Sequence, residues 1–391
     1  MLRSFKKFVS LMLILTLSLV VCLPAFAASN TKDVKDSGVK DSSFTYISQT
    51  DAVLLANQCI KEQVAIGNHC CWTKSTKISE TAALFDFGGN ANAYLFRLTT
   101  NGKRTGYVFV NAYAKAPSVE AFGYDCDFML DAMLPKNHKS SVTTSDHIIY
   151  ADSLVFLTQN KSENYFVIGD KTEKLEASKS DLMEDYRNNL QRKADALSQS
   201  NLTELKVNTI KPMGQTIYSQ HNVSGIWSSG YHIYLMSDFT GYTNHCGPTA
   251  GTNLIYYWSH YGTPRQSQLW KGSVFQDLYK YMNTNVGITG TSTNYISDGL
   301  STFAISRNDP IVDNYSSSGD WNFFVNYLED NRPIITLVNG DPKYGNHYIL
   351  SVGYQNTSTG QYLRIADGWS RTFSNFYKFQ GKIADARYVS W

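Results

Sequence analysis

The spacing of apolar positions divides the chain into an apolar leader, a first half of short strands, and a second half with its own rhythm. Asp51 to Gln63 reads as a helix. Ala93-Tyr94-Leu95-Phe96-Arg97-Leu98 and Tyr107-Val108-Phe109-Val110 read as strands, with Asn101-Gly102 as a hairpin turn signal between them. Residues 45–175 therefore look like a small α+β domain. Leu182-Met183, Tyr186, Leu190 and Leu197 are spaced loosely for a helix among many charges, which predicts an exposed helix over 176–205 leading into a linker. The Ser-Gln-Ser-Asn and Lys-Pro-Met-Gly stretches between about 198 and 215 mark a domain boundary and a cutting site.

The second half is better punctuated. Pro248 suits the first turn of a helix, where a missing N–H costs nothing. Ala250, Leu254, Tyr257, Trp258 and Tyr261 then recur at helical spacing, and Gly262 and Pro264 end the run. Cys246 therefore stands at the N-terminus of a helix buried along one side. Trp321, Phe324, Val325 and Leu328 predict another helix, stopped by Asn331-Arg332-Pro333. Ile334 to Val338 reads as a buried strand, 339–346 as a loop, and His347 to Tyr354 as a strand with His347 at its mouth. Gln355 to Gly360 is expected to turn, and Tyr362 to Ala366 to form a further strand closed by Asp367-Gly368-Trp369. Residues 289–320 read as Tyr-containing loops, open to a place at a cleft or to a structural one.

Composition adds limits. Hydrophobic residues make up 42% of the 391, enough for a sizeable core. A formal net charge of +2 gives no electrostatic reason to expect a nucleic-acid partner. At the N-terminus, Arg3, Lys6 and Lys7 precede an apolar run from Phe8 to about Leu23, and Ala25-Phe26-Ala27 follows. That order is a secretory signal peptide over 1–27, cleaved after Ala27. A retained anchor is the rival, but the run is short for a span and small residues favour cleavage. Val21 is a poor match to the small residue that lipidation of Cys22 needs. The protein is thus expected to be secreted and extracellular, with the cell wall as one destination and no membrane attachment after cleavage.

Export changes the reading of the cysteines. Cys59, Cys70, Cys71 and Cys126 lie in the first half and could pair in an oxidising compartment, with connectivity open. Cys246 stands alone in the second half, either a buried small hydrophobe or a reactive group. At a helix N-terminus, the dipole and free N–H groups stabilise a thiolate, lowering the thiol pKa below its usual ~8.5. A base needs a neighbour to hold its second ring nitrogen, and His347 and Asp367 on consecutive strands would meet that need. Singly, each has a plainer reading: a packed Cys, a surface His, an Asp capping a turn. Together, Cys246 as nucleophile, His347 as base and Asp367 as its orienting group favour catalysis.

Three segments carry a resemblance. Asn244-His245-Cys246-Gly247-Pro248-Thr249-Ala250, then His347-Tyr348-Ile349-Leu350-Ser351-Val352-Gly353-Tyr354, then Ala366-Asp367-Gly368-Trp369 resemble the papain-like cysteine peptidase superfamily. Within it they are most similar to streptopain-like and double-glycine-leader (bacteriocin-processing) peptidases. Gly106-Tyr107-Val108-Phe109-Val110-Asn111, followed by Pro117 to Tyr124, resembles the pro-domains of streptopain-like precursors. The sequence also departs from that pattern. Where a Gln oxyanion donor would precede the nucleophile, this chain has Thr240, and Asn244 is the substitute candidate beside the Cys246 backbone N–H. The double-Cys signature of papain itself is absent.

The resemblance implies an α+β, papain-like fold, with a helical part carrying the Cys on an antiparallel sheet carrying His and Asp. The division would be a signal peptide (1–27), a propeptide with its small α+β pro-domain (28–205) and a peptidase domain (206–391). It implies a peptide or protein substrate, no cofactor or metal, and the chain's own propeptide as an intramolecular inhibitor, removed by processing near 195–220. A cell-wall peptide amidase of the same fold is one alternative. A catalytically dead scaffold used for binding or adhesion is another.

Overall fold

The computed structural model describes residues 45–67, 70–115, 117–133, 148–152, 155–159, 165–167, 173–174, 184, 187, 217–228, 230–288, 290–317, 319–338, 347–357, 360–379 and 383–390. The apolar leader, the linker at 198–215 and the loop at 339–346 lie outside them, as does the helix expected at 176–205 apart from Glu184 and Arg187, both helical.

The first half opens with α1 (Gln49–Ile66). Ser48 caps it by accepting from the Asp51 N–H, and Gly67 closes it in the left-handed region at φ 68°. Then come β1 (Lys77–Phe85), β2 (Ala91–Thr100), β3 (Lys103–Asn111), β4 (Ser118–Tyr124), the short α2 (Met129–Met133), β5 (Ile148–Asp152), β6 (Val155–Gln159), β7 (Tyr165–Val167) and β8 (Glu173–Lys174). The turn between β2 and β3 holds Asn101 and Gly102 at φ 52° and 78°, as the hairpin signal requires.

The second half supplies β9 (Ile217–Asn222), α3 (Cys246–Tyr261), α4 (Val274–Tyr281), α5 (Thr293–Ser306), β10 (Asp313–Ser317), α6 (Trp321–Glu329), β11 (Ile334–Val338), β12 (His347–Thr357), β13 (Gly360–Ala366), β14 (Asn375–Lys378) and β15 (Ile383–Ser390). The architecture is mixed, a large sheet with helices, compatible with an α+β class. No helix among the described residues is long and apolar enough to cross a membrane.

Three features differ from the sequence expectation. Residues 289–320 are not chiefly loop, because α5 and β10 occupy most of them. Ile296, Leu300, Phe303 and Ala304 are buried along α5, a spacing that the Tyr and Ser content obscured. β12 runs on to Thr357, since its outer residues pair with both β9 and β13. Finally, α3 is buried continuously from Cys246 to Tyr257 rather than on one side, because it lies between the sheet on one side and α4 and the Pro264–Leu269 turn on the other.

The strands of the two halves join in a single sheet, in the order β10-β15-β11-β12-β13-β14-β4-β3-β2-β1-β5-β6-β7-β8, with β9 on β12. At the seam β14 pairs antiparallel with β4, aligning Asn375 with Gly123 and Phe376 with Phe122. Phe122 stacks on Phe376 at 4.7 Å and meets the edge of Tyr362 at 5.1 Å. Around them, Tyr362 and Phe376 join Phe96, Val108 and Val110 in one apolar cluster. Buried Arg364 of β13 donates to the Tyr124 hydroxyl at 2.8 Å. Since Phe122 is wholly buried between the halves, Phe122→Ala should cost about 3–5 kcal/mol in denaturant unfolding. A loss below about 1 kcal/mol would show that the seam does not rest on this ring.

Candidate active site

Cys246 is the first residue of α3, and the helix packs on β11 and β12. His347 is the first residue of β12. Packing the helix start on the strand start brings both to one pocket, lined also by Met236, Thr249, Ala250, Asn253, Tyr348, Ala366 and Gly368. His245 precedes the helix, its Nδ1 against Thr249 Oγ1 at 3.0 Å. Asn253 is committed to holding the neighbouring loop. Its Oδ1 accepts from the Tyr234 N–H at 2.8 Å, and its Nδ2 donates to the Tyr234 carbonyl at 2.9 Å.

β12 and β13 are antiparallel neighbours, so the end of β13 comes back beside the start of β12. There His347 Nε2 lies 2.8 Å from the backbone carbonyl of Asp367. A carbonyl only accepts, so this nitrogen carries the hydrogen and a neutral ring keeps its lone pair on Nδ1. The Trp369 ring covers the imidazole, stacked at 3.8 Å and 24°.

Asp367 thus meets the histidine through its main chain, where the sequence suggested its carboxylate. That carboxylate is turned into its own loop. Oδ1 accepts from the Trp369 and Ser370 N–H groups, both at 2.8 Å, and Oδ2 from Asn375 Nδ2 at 2.7 Å and Ser370 Oγ at 3.2 Å. Between them, Gly368 takes φ 80°, which a side chain would strain. Asp367 therefore orients His347 by shaping the turn that presents a carbonyl and an indole.

Burial sets the protonation states. It pushes the His347 imidazolium down to about 4, against the pull of the Asp367 carbonyl. It raises the Asp367 carboxyl to about 6, against four groups of hydrogen bonds that favour the anion. At neutral pH the pair is a neutral base and a carboxylate. Their effects on stability oppose each other. His347 binds its proton less readily folded than unfolded, so stability falls as pH drops below 6.5 towards 4. Asp367 binds its proton more readily folded, so stability rises over about pH 6 to 4.

Residues 214–389 match the family model of the Peptidase_C39-like family. Cys246, His347 and Asp367 all fall within the matched residues, and the family points to a cysteine peptidase. No curated protein matches the chain.

Asn244 lies two residues before the thiol with φ 50°, a left-handed conformation that Asn tolerates. It is not among the residues lining the pocket. Tyr348 is, and the sequence reading passed over it as a strand residue. Its hydroxyl is buried without a hydrogen-bond partner among the described residues, and burial holds it well above the usual phenol range. All five cysteines after the leader are free thiols, so none of the pairings left open in the first half is present.

An NMR titration of the His347 ring should show protonation only near pH 4. A midpoint at or above 6.5 would mean that the ring is solvated and that the stacked enclosure is not maintained in solution.

Proposed function

We propose that this protein is a secreted cysteine endopeptidase made as a precursor, with Cys246 as nucleophile, His347 as base and Asp367 as the group that orients it. The observation that carries the reading is the shared pocket. A thiol at a helix start and an imidazole with its lone pair on Nδ1 line one cleft, and the imidazole is fixed at its other nitrogen.

The chemistry follows from those positions. The Cys246 Sγ–H gives its proton to His347 Nδ1 as sulfur attacks the carbonyl carbon of a peptide. The tetrahedral oxyanion takes a hydrogen bond from the Cys246 backbone N–H, while Asn244, the candidate second donor, lies outside the residues lining the pocket. The imidazolium returns the proton to the departing amine, leaving a thioester. Water, deprotonated by Nδ1, then attacks the thioester and releases the acid and the thiol. Throughout, the Asp367 carbonyl holds Nε2–H, and Trp369 keeps water off that bond.

The precursor reading rests on the apolar leader at 1–27 and the linker at about 198–215. The uncut chain inhibits itself, and cleavage in the linker opens the site.

An epoxide probe of the kind that alkylates papain-like thiols should label Cys246 of the processed protein. His347→Ala should slow labelling about 10²- to 10⁴-fold, the usual contribution of a positioned base. Cys246→Ala should abolish casein hydrolysis and self-processing alike. Undiminished hydrolysis in Cys246→Ala would remove the assignment, and cleavage of peptidoglycan but not casein would move it to a cell-wall amidase.

A further inference from the structure

At the seam between the halves, the first residue of β14 makes contacts that neither half could satisfy alone. Asn375 is 1% exposed, and its Nδ2 donates to Asp367 Oδ2 at 2.7 Å. Its Oδ1 accepts two hydrogen bonds from the first half: from the Tyr107 hydroxyl of β3 at 3.1 Å and from Cys126 Sγ, just past β4, at 3.0 Å. The direction of the amide follows from donor chemistry. A carboxylate accepts only, so Nδ2 must face Asp367, and the oxygen left at the other end needs donors in a buried place. Tyr107 and Cys126 supply them.

The cradle is shaped to fit. Asn375 pairs with Gly123 across the seam. A Cβ on Gly123 would stand 2.5 Å from Asn375 Oδ1, 2.6 Å from Cys126 Sγ and 2.7 Å from the Tyr107 ring. Only a residue without a side chain leaves room for the three groups to meet. A polar cluster enclosed this way has one satisfied arrangement, and so it rigidifies what it touches.

What it touches is the turn that holds the base. Asp367 Oδ1 ties down the N–H of Trp369, whose ring covers His347, and the Asp367 carbonyl takes His347 Nε2–H. Among the described residues, those lining the Cys246 pocket all come from the second half. The described part of the first half therefore reaches the site through Asn375 and the Asp367 turn, not by lining the pocket.

We infer that the first half is a working part of the active site: Tyr107 and Cys126 fix Asn375, and Asn375 holds the Asp367–Trp369 turn that positions His347. The three are positioning residues, and the inference rests on the peptidase reading. It also means that the first half stays bound after the linker is cut, held by the β4–β14 pairing.

The test uses the processed protein, chromatographed by size and then alkylated at Cys246 by the epoxide probe under saturating conditions. The first half should co-elute with the second. Tyr107→Phe combined with Cys126→Ala should lower the maximal alkylation rate about 10- to 100-fold, the cost of displacing a reacting group by about 1 Å, while half-saturation stays within about twofold. Cys126→Ser, which restores a donor, should recover most of the rate in the Tyr107→Phe background. Should the double variant fail to fold, Tyr107→Phe alone, one oxygen fewer, is read the same way. A wild-type rate in folded variants, or a second half that keeps full reactivity after the first half has eluted separately, overturns the inference and leaves the peptidase reading standing. An unlabelled wild-type protein removes the peptidase reading and this inference with it.

Discussion

Everything at the candidate site hangs on how Asp367 spends its carboxylate. Burial penalises the charge, and the two N–H groups, one hydroxyl and one amide around it make the anion tolerable. Those same bonds curl the chain after β13 into a tight turn through Gly368. The curl points a main-chain carbonyl at His347 and lays the Trp369 ring over it. A peptide carbonyl keeps the tautomer in place without adding a second titrating group in contact with the ring. The low basicity of the imidazole follows from the same enclosure, so the ring rests neutral.

The position of Cys246 depends on a different constraint, the burial of α3. A helix enclosed from its first residue to Tyr257 cannot rotate or slide without opening the core, so its N-terminus is a fixed point. Aromatic side chains do much of the enclosing around its start and end. His245 meets the edge of Phe275, while Tyr257 stacks on Tyr261. The high aromatic content of the chain thus has a structural use beside the site, where rings fill the space around the fixed helix start.

The halves are less separable than two domains on a string. Without β4, strand β14 would be an edge with unpaired backbone groups, and Phe376 and the Arg364 guanidinium would lose the rings and hydroxyl that cover them. Both cores share residues across the seam, so removing either half would expose apolar area as well as hydrogen-bonding groups.

Local chemistry made much of this legible from the chain. A helix beginning at Cys246 follows from Pro248 and the apolar spacing behind it, and a strand beginning at His347 from its β-branched and aromatic run. The Asn101-Gly102 hairpin follows from the positive φ values that those residues accept. Where local signals were faint, the reading failed. The apolar stripe of α5 was hidden among Ser, Thr and Asn, and the extent of β12 was set by partners on both sides and not by its own residues. What only the tertiary structure decided is which atoms of a residue do the work. The sequence could bring Asp367 near His347, but whether carbonyl or carboxylate met the ring depended on the donors waiting for the carboxylate, and one of those, Asn375, is held from the other half of the chain. Spacing along a chain specifies neighbours on a strand or helix. The competition among buried donors and acceptors is settled only when the elements close on one another, because each group must be satisfied at once.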